Sequence, residues 1–424
     1  MSLFFNRFQF RSPQQIELPI VTRSFLRVSV LSTLFLSYGS ASRAQQDLTV
    51  VLVGQSMIRS DLRATAPDIL AAIRPLLSGD VVFTNLEAAI ALPGQTAQEG
   101  RGFLAPAESL DTLQRLGFNL LALAGNHAFD LGRTGIENTL RETTRRGLAR
   151  AGTGTTVNEA SAPAYLHVGN MTIALVASAS GLINSGARAT PQGPGVNELR
   201  VNAGPLANEA TADLPGAPAN TPEPEDARRI LQSIRTAKQG ANLVIVYQHN
   251  HVFGNRSFAT LFTEGMSERL APNEWLRNWV HREVEAGADI VVMHGAPLLH
   301  GVELFHGHPI FYDLGNFIYN LPPTLTYIDE PIAWESAIAH LQFHGTSLQS
   351  ITVKPIVLNR IGRGQPDVRD PHTNNEFLDT RGLPSPASGA RATYILDRLA
   401  QLSAPLGTRV KVEGDTARID LTGQ

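Results

Sequence analysis

The stretch LALAGNHAFDLG, residues 121–132, decides how the rest of the chain is read. An apolar run stops at Gly125 and gives way at once to Asn126 and His127, with Asp130 one turn further on. Asn126 or Asp130 could each cap a helix, and His127 could be a core histidine with its ring satisfied. Such readings suffice for one strand end. They do not suffice if other strands end the same way.

Six short apolar runs recur: LTVVLV (48–53), DVVFT (80–84), FNLLALA (118–124), MTIALVA (171–177), NLVIVY (242–247) and DIVVM (289–293). Amphipathic segments at 106–116, 134–147, 223–238 and 273–286 lie between them, with Gly117, Gly147, Gly240 and Gly287 near their ends. Glycine there suits the left-handed turn that closes a helix. The alternation predicts an α/β fold. The runs then end in Gly54-Gln55, Asn85-Leu86-Glu87, Asn126-His127, His249-Asn250-His251 and His294-Gly295. In open α/β sheets ligands bind beyond the carboxyl ends of the strands, so folding gathers these groups on one rim. A metal or acid–base site is expected there. Imidazole and carboxylate suit Zn, Mn, Fe or Ni, and an Asn carbonyl adds a neutral ligand. Because Asn126 and His127 are adjacent, they point differently. One can hold metal while the other faces substrate, donating a proton or steadying developing charge.

Composition narrows the field. The 424 residues are 43% hydrophobic and 17% charged, a globular balance. A net charge of -3 gives no electrostatic footprint for nucleic acid. With no cysteine, disulfides and thiolate chemistry are excluded, and a metal must be held by His, Asp, Glu, Asn or Gln. The segment TRSFLRVSVLSTLFLSYGSASRAQQ (22–46) sets Arg23 and Arg27 before an apolar run and small residues up to Ala44. That layout is a secretory signal, cut after Ala44 or Ala41, with the first twenty residues as an extended leader. Export to the periplasm or cell surface is expected, or anchoring to the membrane if the signal stays uncleaved.

Residues 1–44 are thus set aside as leader and signal, and 45–424 are expected to form a single domain. Within it, 178–224 reads as a loop-rich insertion and 363–390 as an irregular segment. Hairpins are expected around His306-Gly307 and HGTS (344–347), then a helix over 392–402 and a terminal strand pair.

The stretches LAGNHAFDLGRTGIENTL (123–140), NLE (85–87) and YDLGNFIYN (312–320) resemble the CapA-type proteins of poly-γ-glutamate capsule synthesis. These are similar in turn to calcineurin-like metallophosphoesterases. The resemblance runs from about residue 48 to about 358. It implies a four-layer α/β/β/α sandwich of the metallo-dependent phosphatase type, with metal at the strand ends. It also implies roles. Glu87 falls on the acidic position that resembles the bridging ligand of the two-metal site, Asn126 on a metal, and His127 beside the substrate. His249, preferred over His251, is the next ligand, and His294 begins the last histidine motif. Gln55 stands where the family has Asp, and Pro297 or a neighbour where it has a second His. Both absent groups would serve one metal, so one divalent ion (Zn, Mn, Fe or Ni) per chain is expected. Gln55, Asn85, His251 and His300 remain as further ligands or supporting groups.

The function implied is that of an exported CapA-like hydrolase of capsule synthesis or processing, in which a metal-bound water attacks an amide or phosphoester. Its substrate would be an anionic polymer or a small molecule, and its partner a membrane-bound capsule synthase. A polymer-binding or export accessory, and a periplasmic phosphoesterase, are the rivals. Asp130 either sets the tautomer of His127 or caps the helix near Thr134. Arg133 and Arg256 could pair with a substrate carboxylate or phosphate, or be plain surface arginines. Asp313 and Asn316 read as structural, Trp275 and Trp279 as core, and His306 and His308 as exposed.

Overall fold

The computed structural model describes residues 46–97, 102–202, 220–252, 272–321, 331–363 and 375–422. It sorts the apolar runs into two large sheets. The strands used below are β1 (Asp47–Leu52), β2 (Val81–Asn85), β3 (Leu120–Ala122), β4 (Ala149–Ala151), β5 (Ala164–Val168), β6 (Met171–Ser180), β7 (Leu243–Asn250) and β8 (Ile290–His294). They continue as β9 (Val302–Phe305), β10 (His308–Phe311), β11 (Glu335–His344), β12 (Ser347–Leu358), β13 (Pro384–Pro386), β14 (Val410–Glu413) and β15 (Thr416–Ile419). The longer helices are α1 (Glu108–Leu116), α2 (Gly132–Arg145), α3 (Pro224–Gly240), α4 (Glu274–Glu285) and α5 (Gly389–Ser403).

The first sheet has the order β14-β15-β12-β11-β1-β2-β3-β4, with β13 added beside β12. From β1 to β4 it is parallel, and the rest is antiparallel. The second has the order β9-β10-β8-β7-β6-β5 and is parallel from β6 through β10, with antiparallel edges. Parallel strands joined by helices all end on the same side. That is what makes one rim out of separate strand ends.

Period-two alternation builds the layers of the second sheet. Ile173, Leu175, Leu243, Ile245, Ile290 and Val292 point into the main core shared with the first sheet. Val176, Val244, Val246, Val291 and Met293 point the other way, against Ile230 and Ile234 of α3 and Trp275, Trp279 and Val280 of α4. Leu110 and Leu113 of α1, Ile136 and Leu140 of α2, and Ile395, Leu396 and Leu399 of α5 join the main core. The result is an α/β/β/α sandwich. The two tryptophans are core residues, 5% and 1% exposed.

The hairpins form where expected. His306 and Gly307 both take positive φ (52° and 79°), as a two-residue turn of this hand requires, and His306 is exposed with His308 half-buried. The two segments read as loops carry ordered parts among the described residues. β6 extends to Ser180, and Ala187, Ala189, Val196, Asn197 and Leu199 are all buried. Small residues there allow close backbone approach rather than slack: a Cβ on Gly195 would lie 2.3 Å from the Ala187 carbonyl oxygen. In 363–390, a helix at Asn375–Thr380 precedes β13. Residues 1–45, 203–219 and 364–374 lie outside the described residues, and with them the leader and signal. Among those described, no helix is long and apolar enough to cross a membrane.

One buried carboxyl group makes the fold pH-sensitive. Glu283 lies fully buried on α4 beside Trp279 and Val284, and burial pushes its carboxyl up to about 8. The raised value means the folded state holds a proton that the unfolded chain releases above about 4.5. The contribution to stability is therefore full below pH 4.5 and declines up to pH 8. One such group sets a slope of at most about 1.4 kcal/mol per pH unit. Glu283→Gln should flatten that decline, so denaturant melts at pH 5 and pH 8 should differ less in the variant than in the parent.

Candidate metal centre

The parallel register brings the ends of β7 and β8 level, with His249 directly opposite His294. His251 follows two positions on, just past the strand, and its N–H donates to the Ser180 carbonyl at 2.8 Å, continuing the ladder with β6. On the other side, the chain leaving β2 is hooked in by Leu86 N–H on Ala122 and Glu87 N–H on Ser56. This seats Glu87, 3% exposed, facing the histidines. The chain leaving β3 enters a short 3-10 turn, Asn126–Phe129, that supplies Asn126 and His127.

His249 is the hub. Its Nε2 lies 2.9 Å from Asn126 Oδ1, 3.0 Å from His251 Nε2 and 3.8 Å from Glu87 Oε1. The ligand atoms of Glu87, His249 and His251 all fall within 4.8 Å of one another. A single ring proton can bridge only one of these contacts, whereas a cation among them would take every lone pair. Tyr247, two residues earlier, sets its hydroxyl 2.9 Å from His249 Nδ1. If Nδ1–H donates to that oxygen, Nε2 is left free to ligate. In the same way His294 donates from Nδ1 to Asn85 Oδ1 at 2.7 Å, so its Nε2 keeps a lone pair.

Burial sets the protonation states. It holds His249 well below the usual imidazole range and brings His251 and His294 down to about 3. All three are neutral at pH 7 and available as ligands. Burial also pushes Glu87 up to about 7, with His127 opposing and Asp130 assisting. A cation would favour the ionised carboxylate. Glu87 Oε2, His294 Nε2 and Gln55 Oε1 are shut off from solvent with no hydrogen-bond partner among the described residues. Each buried orphan costs about 1–3 kcal/mol. All three are acceptors, which is what a divalent metal needs. The donor set fits.

His127 has a different environment. Its side chain is 28% exposed, and Nδ1 donates to Asp130 Oδ2 at 2.6 Å. That oxygen also accepts from Phe103 N–H at 2.6 Å, and Asn184 Nδ2 reaches Oδ1 at 3.3 Å. Burial alone would lower His127, but the Asp130 bond and the charges of Glu87 and Asp130 outweigh it and raise the ring above its ordinary value. Asp130 does not cap α2, whose N-cap is Leu131 without a side-chain bond. It serves His127.

The remaining candidates separate. Gln55 is buried at the rim, paired in register with Asn316. Asp313 accepts from Ala296 and Gly315 N–H groups (3.1 and 2.7 Å), and Asn316 donates to the Pro297 and Ala333 carbonyls, so both brace the 294–300 loop. His300 donates its backbone N–H to Asp313 and does not join the cluster. Arg133 is exposed with its guanidinium beside Gly193. Arg256 lies outside the described residues. Tyr247, Asn184 and the Phe103 backbone are supports that the motifs alone did not reveal. Only Tyr247 left a trace, two places before His249 on the same strand face.

Against known proteins, residues 49–321 match the family model described as bacterial capsule synthesis protein PGA_cap. The Sinorhizobium fredii protein y4sH is 26% identical over 467 aligned positions, covering 90% of this chain and 95% of its own. PGA biosynthesis protein CapA of Bacillus subtilis is 26% identical over 58% of this chain and 53% of its own. Capsule biosynthesis protein CapA of Bacillus anthracis is 24% identical over 73% and 67%.

The Asp130 contact has a direct readout. Asp130→Asn removes a charge and the carboxylate acceptor that together raise His127. An NMR titration of the His127 ring should give a pKa lower in the variant than in the parent; an unchanged value would contradict the role given to Asp130.

Proposed function

The chain belongs to the bacterial capsule synthesis (PGA_cap) family, and from that premise we propose that it is an exported, metal-dependent hydrolase acting on an anionic polymer of capsule synthesis. The observation that carries this reading is the meeting of Glu87, Asn126, His249 and His251, whose oxygen and imidazole nitrogen atoms crowd around His249 Nε2 at ligand spacing. We assign one metal per chain, drawn from Zn, Mn, Fe or Ni, because the donors are imidazole, carboxylate and amide oxygen.

Glu87, Asn126 and His249 would hold the ion, with His294, opposite His249 in register and its ring fixed by Asn85, as a further ligand. When bound, such an ion supplies a Lewis acid that makes water nucleophilic near neutral pH. His127 does the proton work. Its pKa is raised, which favours the protonated ring, and from that form Nε2 can protonate a leaving group or steady negative charge. Asp130, with Phe103 and Asn184 behind it, prevents the ring from turning.

The name of the Bacillus subtilis relative, PGA biosynthesis protein CapA, together with the resemblance to proteins of poly-γ-glutamate capsule synthesis, supports a γ-glutamyl substrate and so an amide bond. The layout of residues 22–44 supports export to the periplasm or cell surface, where a membrane-bound capsule synthase would be the natural partner.

With a γ-glutamyl peptide as substrate, His127→Ala should lower kcat by about 10²–10⁴-fold while metal content stays at the parent level. A chelator should abolish turnover. Turnover that survives the chelator, or is unchanged in His127→Ala, would refute this reading. Hydrolysis confined to aryl phosphates would move the substrate class to phosphoesters.

A further inference from the structure

We propose that His251 is itself a metal ligand, joined to His249 as a His-x-His chelate on one strand, so that Glu87, Asn126, His249 and His251 form the primary set. This rests on the reading of the rim as a metal centre and adds to it a ligand and a metal preference.

Three observations carry it. His251 Nε2 lies 3.0 Å from His249 Nε2, and both belong to the cluster whose ligand atoms fall within 4.8 Å of one another. Residues two apart on an extended chain face the same side, and the N–H bond of His251 to Ser180 keeps it extended. Asn250, between them, faces away and is tied down there: its Oδ1 accepts from Ser180 Oγ at 2.8 Å and from Val252 N–H at 3.2 Å.

The backbone at this point is gripped from both sides. Gly181 (φ +75°) lies so close that a Cβ on it would sit 2.8 Å from the His251 carbonyl carbon. Gly295 (φ +128°) lies so close that its Cβ would sit 2.2 Å from the Asn250 carbonyl oxygen. No side chain fits at either position, so the path into His251 is built rather than incidental.

The consequence is a set of two imidazole nitrogens and two oxygens from Glu87 and Asn126. Such a set favours borderline transition metals over Mg or Ca, which prefer all-oxygen sites. Two ligands from one strand also make the metal follow the position of β7.

The test uses the full chain, with Zn²⁺ affinity measured by competition against a chromophoric chelator and the visible spectrum of bound Co²⁺ as a second readout. Removing a group that only supports a ligand costs about 10–100-fold in affinity. His251→Ala should therefore lose more than about 100-fold and shift the Co²⁺ bands, with the metal-free thermal midpoint unchanged. His251→Gln should fall between the two, and decides the matter if the alanine variant does not fold. Parent affinity and an unchanged Co²⁺ spectrum in both variants, with His249→Ala losing metal, would overturn the role of His251 and leave the metal centre standing. A parent protein that takes up neither ion would overturn both.

Discussion

The contact between two neutral imidazole nitrogens, His249 Nε2 and His251 Nε2 at 3.0 Å, with an amide oxygen 2.9 Å from the first, sets the requirement that the rest of the rim answers. Three lone-pair atoms brought this close in a dry site repel unless a proton or a cation lies between them. The parallel register of β6, β7 and β8 enforces the approach, because no strand can slip without turning its whole face. Tyr247 and Asn85 then orient the rings of His249 and His294. The groups are held ready for a positive charge.

The same rim keeps two kinds of histidine apart. His249, His251 and His294 are stripped of water and stay neutral, whereas His127, partly exposed and bonded to Asp130, is pushed toward the charged form. Opposite shifts within one site would let some histidines ligate while another acts as acid in the proposed reaction. Glu87 stands between, its carboxyl about 7 and so responsive to whichever cation arrives. None of this requires unusual residues. It requires that strands from both sheets end at the same edge.

Much of this is legible in the sequence. The short apolar runs are where β1, β2, β3, β6, β7 and β8 form, because buried parallel strands are apolar on both faces. Of the polar groups that end them, Glu87, Asn126, His249 and His251 lie together and His294 stands opposite His249 in register. The relative weight of His249 and His251 was not legible, since it depends on how far the ladder with Ser180 continues past the apolar run. Nor was the packing of 187–199. A run rich in Ala and Gly reads as slack, yet Ala187, Ala189 and Leu199 are buried because small side chains let strands approach closely. Nor does the sequence show the Phe103 N–H bond to Asp130, whose donor lies 27 residues away along the chain.

The central claim is that a metal ion sits among Glu87, Asn126, His249 and His251. The most direct test is anomalous diffraction from crystals of the full chain, collected on either side of the absorption edge of the ion it carries. One peak is predicted, at about 2.0–2.2 Å from the His249 and His251 ring nitrogens and the Glu87 carboxylate. Crystals with no peak there after soaking in Zn²⁺, or with a peak that leaves His249 unligated, would contradict the account.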